Sequence, residues 1–246
     1  MPTTWYHAKV SHIENASSRV KRFWLRLGED TPFDYKAGQF LTMDLPVGEK
    51  RLQRWRSYSI ADAPLDPHLL ELCIVHMPEG LATTYLFEEV KEGDTLKFKG
   101  PEGNFLLPDP LPEELIMVCT GTGVAPFRAM LNDLDRQGWP EGKRIHLIYG
   151  SRVREDLLYA DEFLALSARQ PLFTYTAALS RIEEHPVEPW IQKGYVHQVY
   201  LKAYPEVADE RKYMLCGWTN MIDEAVAHLV AEQGYKPHQV VYELYG

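Results

Sequence analysis

The chain has 246 residues, 45% hydrophobic and 25% charged, which fits one large or two ordinary globular domains with a sizeable buried core. Its net charge of −9, and the 13 basic against 16 acidic residues of its first 110, run against a nucleic-acid binder, whose surface is ordinarily basic. The three cysteines, Cys73, Cys119 and Cys216, are widely separated, which excludes a disulfide framework, a CxxC-type metal cluster and an iron–sulfur centre with its roughly four ligands, so no metal site is expected.

The first residues, "MPTTWYHAKV", have neither the basic region nor the apolar stretch of a signal peptide. No apolar run reaches the ~18 residues of a membrane span, so a cytoplasmic protein with no membrane partner is expected. Up to about residue 110 the sequence predicts short strands: "WYHAKVSHIE", "VKRFWLRLGE", "QFLTMDLPV", "RSYSIADAP", "LLELCIVHM" and "DTLKFKGPEG". Glycine and proline turns separate them, the pattern of an antiparallel barrel or sandwich. One helix, "LATTYLFEEV", interrupts. In "RWRSYSIADAP" the period of two puts Arg54 and Arg56 on one strand face with Tyr58 and Ile60, and Trp55, Ser57 and Ser59 on the other.

Past the proline-rich stretch from Pro108 to Pro112 the pattern changes. "LIMVCTGTG", "RIHLIYGSR", "LFTYTAALS", "KYMLCGW" and "VVYELYG" read as strands. "VAPFRAMLNDLDRQG", "EDLLYADEFLALSAR", "VHQVYLKAY" and "NMIDEAVAHLVAEQG" read as helices between them. Alternating strands and helices predict a parallel sheet covered on both faces. The expected division is therefore an antiparallel domain over 1–110 and an α/β domain over 111–246.

Three stretches carry chemistry. In "TGTGVAP", Thr120, Gly121, Thr122, Gly123 and Val124 form the turn from the α/β domain's first strand to its first helix. Glycines there permit close backbone approach, and the free N–H groups of the helix start suit a pyrophosphate; a tight turn without ligand is the other reading. "MLCGW" puts Cys216 and Gly217 at the carboxyl end of a later parallel strand, the edge where open α/β sheets bind ligands, although a cysteine there also serves as plain core. In "HMPEGLATTYL", His76 precedes Gly80, Leu81, Ala82, Thr83 and Thr84 at a helix start, which is a phosphate cradle or an ordinary hydroxyl cap.

Taken together and in order, "RSYS", "GLATTYL", "GPEGNF", "TGTGVAP", "YGSR", "LSR", "CGW" and a terminal "ELY" resemble the ferredoxin–NADP reductase family over essentially the whole chain. The resemblance implies an N-terminal antiparallel FAD-binding barrel, with FMN the alternative flavin, and a C-terminal α/β domain for a pyridine nucleotide. In the "RSYS" stretch it assigns Arg56 to the flavin phosphate, Tyr58 to the ring face and Ser59 to the neighbourhood of flavin N5, with Ser57 in the same cofactor-binding motif. It assigns Gly80 to Thr83 to the flavin phosphates, with His76 standing where relatives often carry a different cationic residue. Thr120 to Val124 take the nucleotide's pyrophosphate, and Cys216 with Gly217 borders the nicotinamide. Glu243 and Tyr245 match the family's glutamate–x–aromatic ending, here followed by Gly246. Tyr245 then covers the flavin and yields to the nicotinamide.

By the same resemblance Ser180 and Arg181, with Ser151 and Arg152 nearby, receive the 2′-phosphate of NADPH. NADH is the alternative; the carboxylate that would bind its ribose diol is not evident in either stretch, though Glu183 and Glu184 follow closely. The implied partner is an acidic ferredoxin or flavodoxin; the cluster Lys50, Arg51 and Arg54 reads either as part of a basic docking patch for it or as a solvated loop. The competing readings are the reductase component of an oxygenase system, a free-flavin reductase and a non-enzymatic subunit on the same fold.

Overall fold

The computed structural model describes residues 4–183 and 186–245. The chain divides into two units. The first comprises the residues up to Leu107 together with Ala125–Arg136, and the second comprises Pro108–Val124 and the chain from Gln137 on.

In chain order the first unit has strands β1 (Trp5–Asn15), β2 (Val20–Arg26) and β3 (Phe40–Asp44), helix α1 (Arg51–Arg54), strands β4 (Trp55–Ser59) and β5 (Leu69–Val75), helix α2 (Leu81–Thr84) and strand β6 (Thr95–Glu102). A π-helical turn, Tyr85–Glu89, continues α2. The sheet order is β4-β3-β6-β1-β2-β5, antiparallel throughout. Its two edges meet just beyond Ser59, where Ile60 bridges Leu72 and the Ala61 N–H donates to the Glu71 carbonyl at 2.8 Å. That closure makes the sheet a barrel and removes its free edges. Every second residue fills the interior: Phe23 and Leu25, Leu41 and Met43, Leu70, Leu72 and Ile74, Leu96 and Phe98. Ala82 and Leu86, one turn apart on α2 and its continuation, join the same core.

The structure departs from the sequence reading just before β4. Arg54 does not lie on the strand with Arg56. It ends α1 and pairs through Nε with Asp44 Oδ1 at 2.9 Å.

The second unit carries β7 (Glu114–Thr120), a single 3₁₀ turn (Gly121–Gly123) and the start of α3 (Val124–Gln137). It continues with β8 (Arg144–Ser151), α4 (Ala160–Arg169), β9 (Phe173–Leu179), β10 (Ile191–Lys193), α5 (Val196–Ala203), β11 (Arg211–Trp218), α6 (Thr219–Val226) and β12 (Val240–Tyr245). All six strands run parallel in the order β10-β9-β8-β7-β11-β12. The three-residue β10 was not foreseen. α5 and α6 bury Val196, Val199, Met221, Ile222 and Ala225 against Ile116, Ile148, Ala178 and Leu215. α4 packs Phe163 on Tyr175, which points to the opposite face from Ala178. The strands are consequently near-continuous apolar runs. The sheet grows outward from β7 through β8, β9 and β10, then resumes on the other side of β7 with β11 and β12. The reversal puts the topological switch point between β7 and β11, and crevices at such points are where open α/β sheets bind ligands.

One buried polar group on β8 makes the fold sensitive to acid. His146 accepts or donates at both ring nitrogens, with Nδ1 2.8 Å from the Tyr204 hydroxyl and Nε2 2.9 Å from Thr176 Oγ1. Burial pushes its pKa down to about 4, against a smaller upward pull from Glu114. Between pH 6.5 and 4 the unfolded chain takes up a proton that the folded one refuses, so stability falls as pH falls through that window, by about 3 kcal/mol in all from this group. Urea unfolding of wild type and His146→Asn across the window is expected to show a shallower pH slope in the variant. Equal slopes would remove His146 as the cause.

Candidate functional site

In the first unit the candidate residues gather around β4. Met43 stands opposite Arg56, Leu41 opposite Tyr58 and Phe40 opposite Ser59 in the pairing with β3. Arg56 Nη1 donates to the carbonyls of Leu52, at 2.6 Å, and of Trp55, at 2.7 Å. The carbonyls of α1 and its C-cap thus hold the guanidinium, and α1 itself packs beside α2. Tyr58 presents a buried hydroxyl that has no hydrogen-bond partner among the described residues. Burial pushes that hydroxyl's pKa up, with Arg56 opposing, so it stays protonated. A buried, unpartnered donor next to a held guanidinium is what a polar ligand would satisfy. Ser59 is buried at the strand's end. Ser57 is exposed on the opposite face, its Oγ 3.0 Å from Thr42 Oγ1, which donates to Glu102 Oε2 at 2.8 Å. The strand therefore does not bring Ser57 to the side occupied by Arg56 and Tyr58.

At the start of α2, the Thr83 hydroxyl accepts from the Met77 N–H at 3.1 Å and lies 3.1 Å from the Met77 carbonyl and 3.2 Å from that of Gly80. It fastens the turn rather than the helix end, for the Gly80 N-cap has no side-chain bond. The first helical N–H bond runs from Thr84 to Gly80, so the preceding amides of Leu81, Ala82 and Thr83 sit at the open end of the helix. A Cβ on Gly80 would stand 2.9 Å from Thr83 Oγ1 and 3.1 Å from the Met77 carbonyl, which leaves this cradle to glycine. The ring of His76 packs on Phe87 at 5.0 Å, and its backbone N–H donates to the Arg19 carbonyl at 2.7 Å. Arg19 Nη2 reaches back to the His76 carbonyl at 3.4 Å. The sequence reading missed this neighbouring guanidinium, which sits on an exposed turn between β1 and β2 with no local pattern to mark it.

In the second unit the turn after β7 and the end of β11 meet backbone to backbone at the switch point. A Cβ on Gly123 would lie 2.4 Å from the Cys216 carbonyl oxygen and 2.8 Å from Gly217 Cα. One on Gly217, whose φ is +141°, would lie 2.4 Å from Thr120 Oγ1. The Trp218 N–H donates to that same Thr120 hydroxyl oxygen at 3.3 Å. Cys216 is fully buried, in register with Cys119 on one side and Glu243 on the other, while Trp218 stands opposite Tyr245. Burial drives the Cys216 thiol well up, the charges of Glu243 and Cys119 add to this, and Tyr245 opposes it. At neutral pH this thiol is a protonated packing and hydrogen-bonding group, not a nucleophile. The structure brings Thr120 to Val124, Cys216, Gly217, Glu243 and Tyr245 together at one sheet edge.

The neighbouring strand ends form a second cluster. The Ser180 N–H donates to the Ser151 carbonyl at 3.0 Å, and the Arg181 N–H to the Arg152 carbonyl at 2.9 Å, which sets the two Ser-Arg pairs side by side. Arg152 and Arg181 are exposed, and neither has an ion-pair partner among the described residues. Glu183 is exposed, and its backbone carbonyl takes the Lys193 ammonium at 2.7 Å. Glu184 and Gly246 lie outside the described residues. Of the basic cluster expected as a docking patch, Arg54 is tied to Asp44, and Arg51 lies over the Trp55 ring at 4.6 Å. No helix of the described residues is long and apolar enough to cross a membrane, and none of their His, Cys, Asp and Glu side chains form a metal-holding group.

Residues 7–106 match the family model of the oxidoreductase FAD-binding domain, and residues 117–227 that of the oxidoreductase NAD-binding domain. The chain is 30% identical over 229 residues to the reductase component DmpP of phenol 2-monooxygenase from Pseudomonas sp. (strain CF600), covering 93% of this chain and 62% of that protein. It is also 30% identical over 225 residues to ferredoxin–NADP reductase B of Sorangium cellulosum, covering 88% of each. The chain thus spans about three fifths of the length of the phenol hydroxylase reductase components it matches. Among solved structures, the ferredoxin NADP+ reductase of Neisseria gonorrhoeae with bound FAD and NADP superposes with a TM-score of 0.81 over 99% of both chains at 23% identity, a likeness of fold. The Amycolatopsis cytochrome P450 reductase GcoB superposes at 0.84 over 99% of this chain and 70% of its own, with 25% identity.

Proposed function

We propose a function from this premise: the chain belongs to the ferredoxin reductase-like oxidoreductases, flavoenzymes that join an FAD-binding domain to a pyridine-nucleotide-binding one. It is a flavin-dependent NAD(P)H oxidoreductase that transfers electrons. Our finer reading is that residues 1–110 hold FAD, residues 111–246 hold NADPH, and electrons pass to or from a separate small redox protein, a ferredoxin or flavodoxin. One observation carries it. The same chain has a held guanidinium, an unpartnered buried tyrosine hydroxyl and an open helix start in one unit, and a glycine-lined switch point in the other. The acceptor class is supported by the match to ferredoxin–NADP reductase B over 88% of both proteins.

In this reading Arg56 and the amides of Leu81 to Thr83 hold the flavin phosphates by charge-assisted hydrogen bonds. Tyr58 gives the ring an apolar face, and Ser59 serves its reacting edge. Thr120 to Val124 bind the nucleotide's pyrophosphate. Cys216, its thiol protonated, and Glu243 would border the nicotinamide, and Tyr245 would cover the flavin and yield to the nicotinamide. FAD, when bound, would supply the redox chemistry between nicotinamide and acceptor. The protein's contribution is alignment, which acts through proximity and orientation.

A second reading is the reductase component of an oxygenase system, favoured by the identity to the phenol 2-monooxygenase component and, at 31% over 238 residues, to the toluate 1,2-dioxygenase electron transfer component of Pseudomonas putida. The deciding experiment starts from purified protein, expected to be yellow and to release FAD on heating, identified by chromatography. Anaerobic NADPH is expected to bleach it, and a ferredoxin, a flavodoxin and an oxygenase component are then offered as acceptors. A colourless protein that neither FAD nor FMN reconstitutes would sink the proposal. Release of FMN would replace the assigned flavin, and turnover with the oxygenase component alone would select the second reading.

A further inference from the structure

Helix α3 crosses the division of the chain. Its body, Ala125–Arg136, belongs to the first unit, while Val124 and the turn before it belong to the second. Inside the first unit the helix carries a charge that the reaction as described leaves unused. Arg128, 7% exposed, donates from Nη1 to the Ala61 carbonyl at 2.8 Å and to Glu71 Oε2 at 2.9 Å. Glu71, 2% exposed, takes Arg22 Nε on Oε1 at 2.7 Å, and Arg22 also faces Glu14 at 3.3 Å. Asp62 stands 3.7 Å from the Arg128 guanidinium and accepts from Asn132 Nδ2 at 3.5 Å. The Tyr35 hydroxyl, kept protonated by burial and by Asp62, donates to the carbonyls of Asp62 and Ala63. Phe127 packs on Phe105 beside this network, with ring centroids 5.6 Å apart.

A buried ion pair is a weak source of stability, because desolvation of both charges offsets their attraction and apolar residues of similar size serve as well. What the pair adds is direction. Two donor contacts from one guanidinium allow α3 a single rotation and a single register on the barrel. The carbonyl that Arg128 takes lies two residues past Ser59, at the point where the Ala61 N–H and the Glu71 carbonyl close the barrel. At its other end Arg128 is one helical turn from Val124.

We propose that Arg128 is a positioning residue that couples nucleotide binding at Thr120 to Val124 with flavin binding at Arg56 to Ser59, through α3 and the Ala61–Glu71 closure. The inference rests on the reading of those two stretches given under Proposed function. Coupling between two sites is reciprocal, so a ligand on the turn tightens the flavin by the same factor by which the flavin tightens that ligand.

The test measures the equilibrium dissociation of FAD from the holoenzyme, read as flavin fluorescence across a dilution series, with and without 2′-phospho-ADP-ribose. That probe has the pyrophosphate and the 2′-phosphate but no nicotinamide ring to touch the flavin. In wild type it is expected to lower the FAD dissociation constant by about tenfold, within the usual range for such couplings. In Arg128→Met/Glu71→Met, which removes both charges of the pair and leaves Arg22 its contact with Glu14, the probe still binds and the factor falls below twofold. Arg128→Lys keeps the charge on a shorter side chain whose ammonium does not reach the Nη1 position between the Ala61 carbonyl and Glu71 with the same geometry, and is expected to restore part of it. If the double variant does not fold, a loss of coupling in Arg128→Lys supports the proposal and an unchanged factor overturns it. A wild-type factor near one, or a factor that survives in the double variant, also overturns it. A wild type that binds no probe at all would instead overturn the assignment of the nucleotide turn, and this inference with it.

Discussion

Gly123→Ala is expected to yield a yellow protein that NADPH reduces about a hundredfold more slowly than wild type. The substitution looks harmless by local criteria: Gly123 has an ordinary φ of −61°, and alanine in a helical turn is normally favourable by roughly 0.5–1 kcal/mol. The cost comes from β11. The new Cβ would lie 2.4 Å from the Cys216 carbonyl oxygen, 2.7 Å from its carbon and 2.8 Å from Gly217 Cα, all backbone atoms that no rotamer change can move aside. The turn and the strand end must part, and Thr120, Cys216 and Gly217 shift together at the switch point. A displacement of about 1 Å at a reacting site costs on the order of a hundredfold in rate. FAD stays bound, because Arg56, Tyr58 and Gly80 belong to the first unit and Gly123, Cys216 and Gly217 to the second. Gly28→Ala is the control: nothing lies within 4 Å of its Cβ position, and it is expected to leave both the flavin content and the rate unchanged. Stopped-flow reduction at saturating NADPH reads the effect. A Gly123→Ala protein with the wild-type rate would mean that the Thr120–Val124 turn does not hold the nucleotide.

Elements whose cause is local were legible in the sequence. The barrel strands followed from short runs between glycine and proline turns, and within them alternate residues such as Leu41 and Met43 or Leu70, Leu72 and Ile74 fill the interior. The parallel sheet followed from buried runs such as Glu114–Thr120 alternating with helices. Features whose cause lies elsewhere in the chain were not legible. α1 is four residues long and depends on Gln53, whose Oε1 accepts from the Glu49 and Lys50 N–H groups, so a strand pattern ran straight through Arg54. β10 has three residues and exists because Ile191 to Lys193 find Ala177 to Leu179. The Arg128–Glu71 pair joins residues 57 apart in sequence, and no local pattern marks it. Among the candidate site residues, Ser57 lies where alternation put it, on the face opposite Arg56 and Tyr58 and against Thr42.

Arg181→Ala is expected to lower kcat/KM for NADPH by about one to two powers of ten and to leave NADH nearly untouched. The two nucleotides differ only in the 2′-phosphate, so a residue that changes one and not the other must act on that group. Backbone bonds from Ser180 to Ser151 and from Arg181 to Arg152 hold two guanidinium-bearing residues at adjacent strand ends. Both are exposed, and neither has an ion pair among the described residues that a phosphate would have to break. A charge-assisted hydrogen bond is worth roughly 1.5–3 kcal/mol, and each 1.4 kcal/mol is about tenfold. The lower end applies if Arg152 takes over part of the phosphate, so Arg152→Ala/Arg181→Ala is expected to lose more than either single variant. Arg181→Lys should recover only part, because an ammonium offers a point charge where the guanidinium offers a fork. The opposing account makes Arg181 a solvated strand-end charge, acting on both nucleotides alike through the general field. Raising the ionic strength weakens such a field effect for both, since the screening length is only about 8 Å at 0.15 M, whereas the preference for NADPH from a direct contact largely persists. Steady-state kinetics with each nucleotide at two salt concentrations distinguish the two. Equal losses for NADPH and NADH in Arg181→Ala, or a wild-type preference for NADH, would take the 2′-phosphate away from this cluster and turn attention to the carboxylate of Glu183 as a ribose ligand.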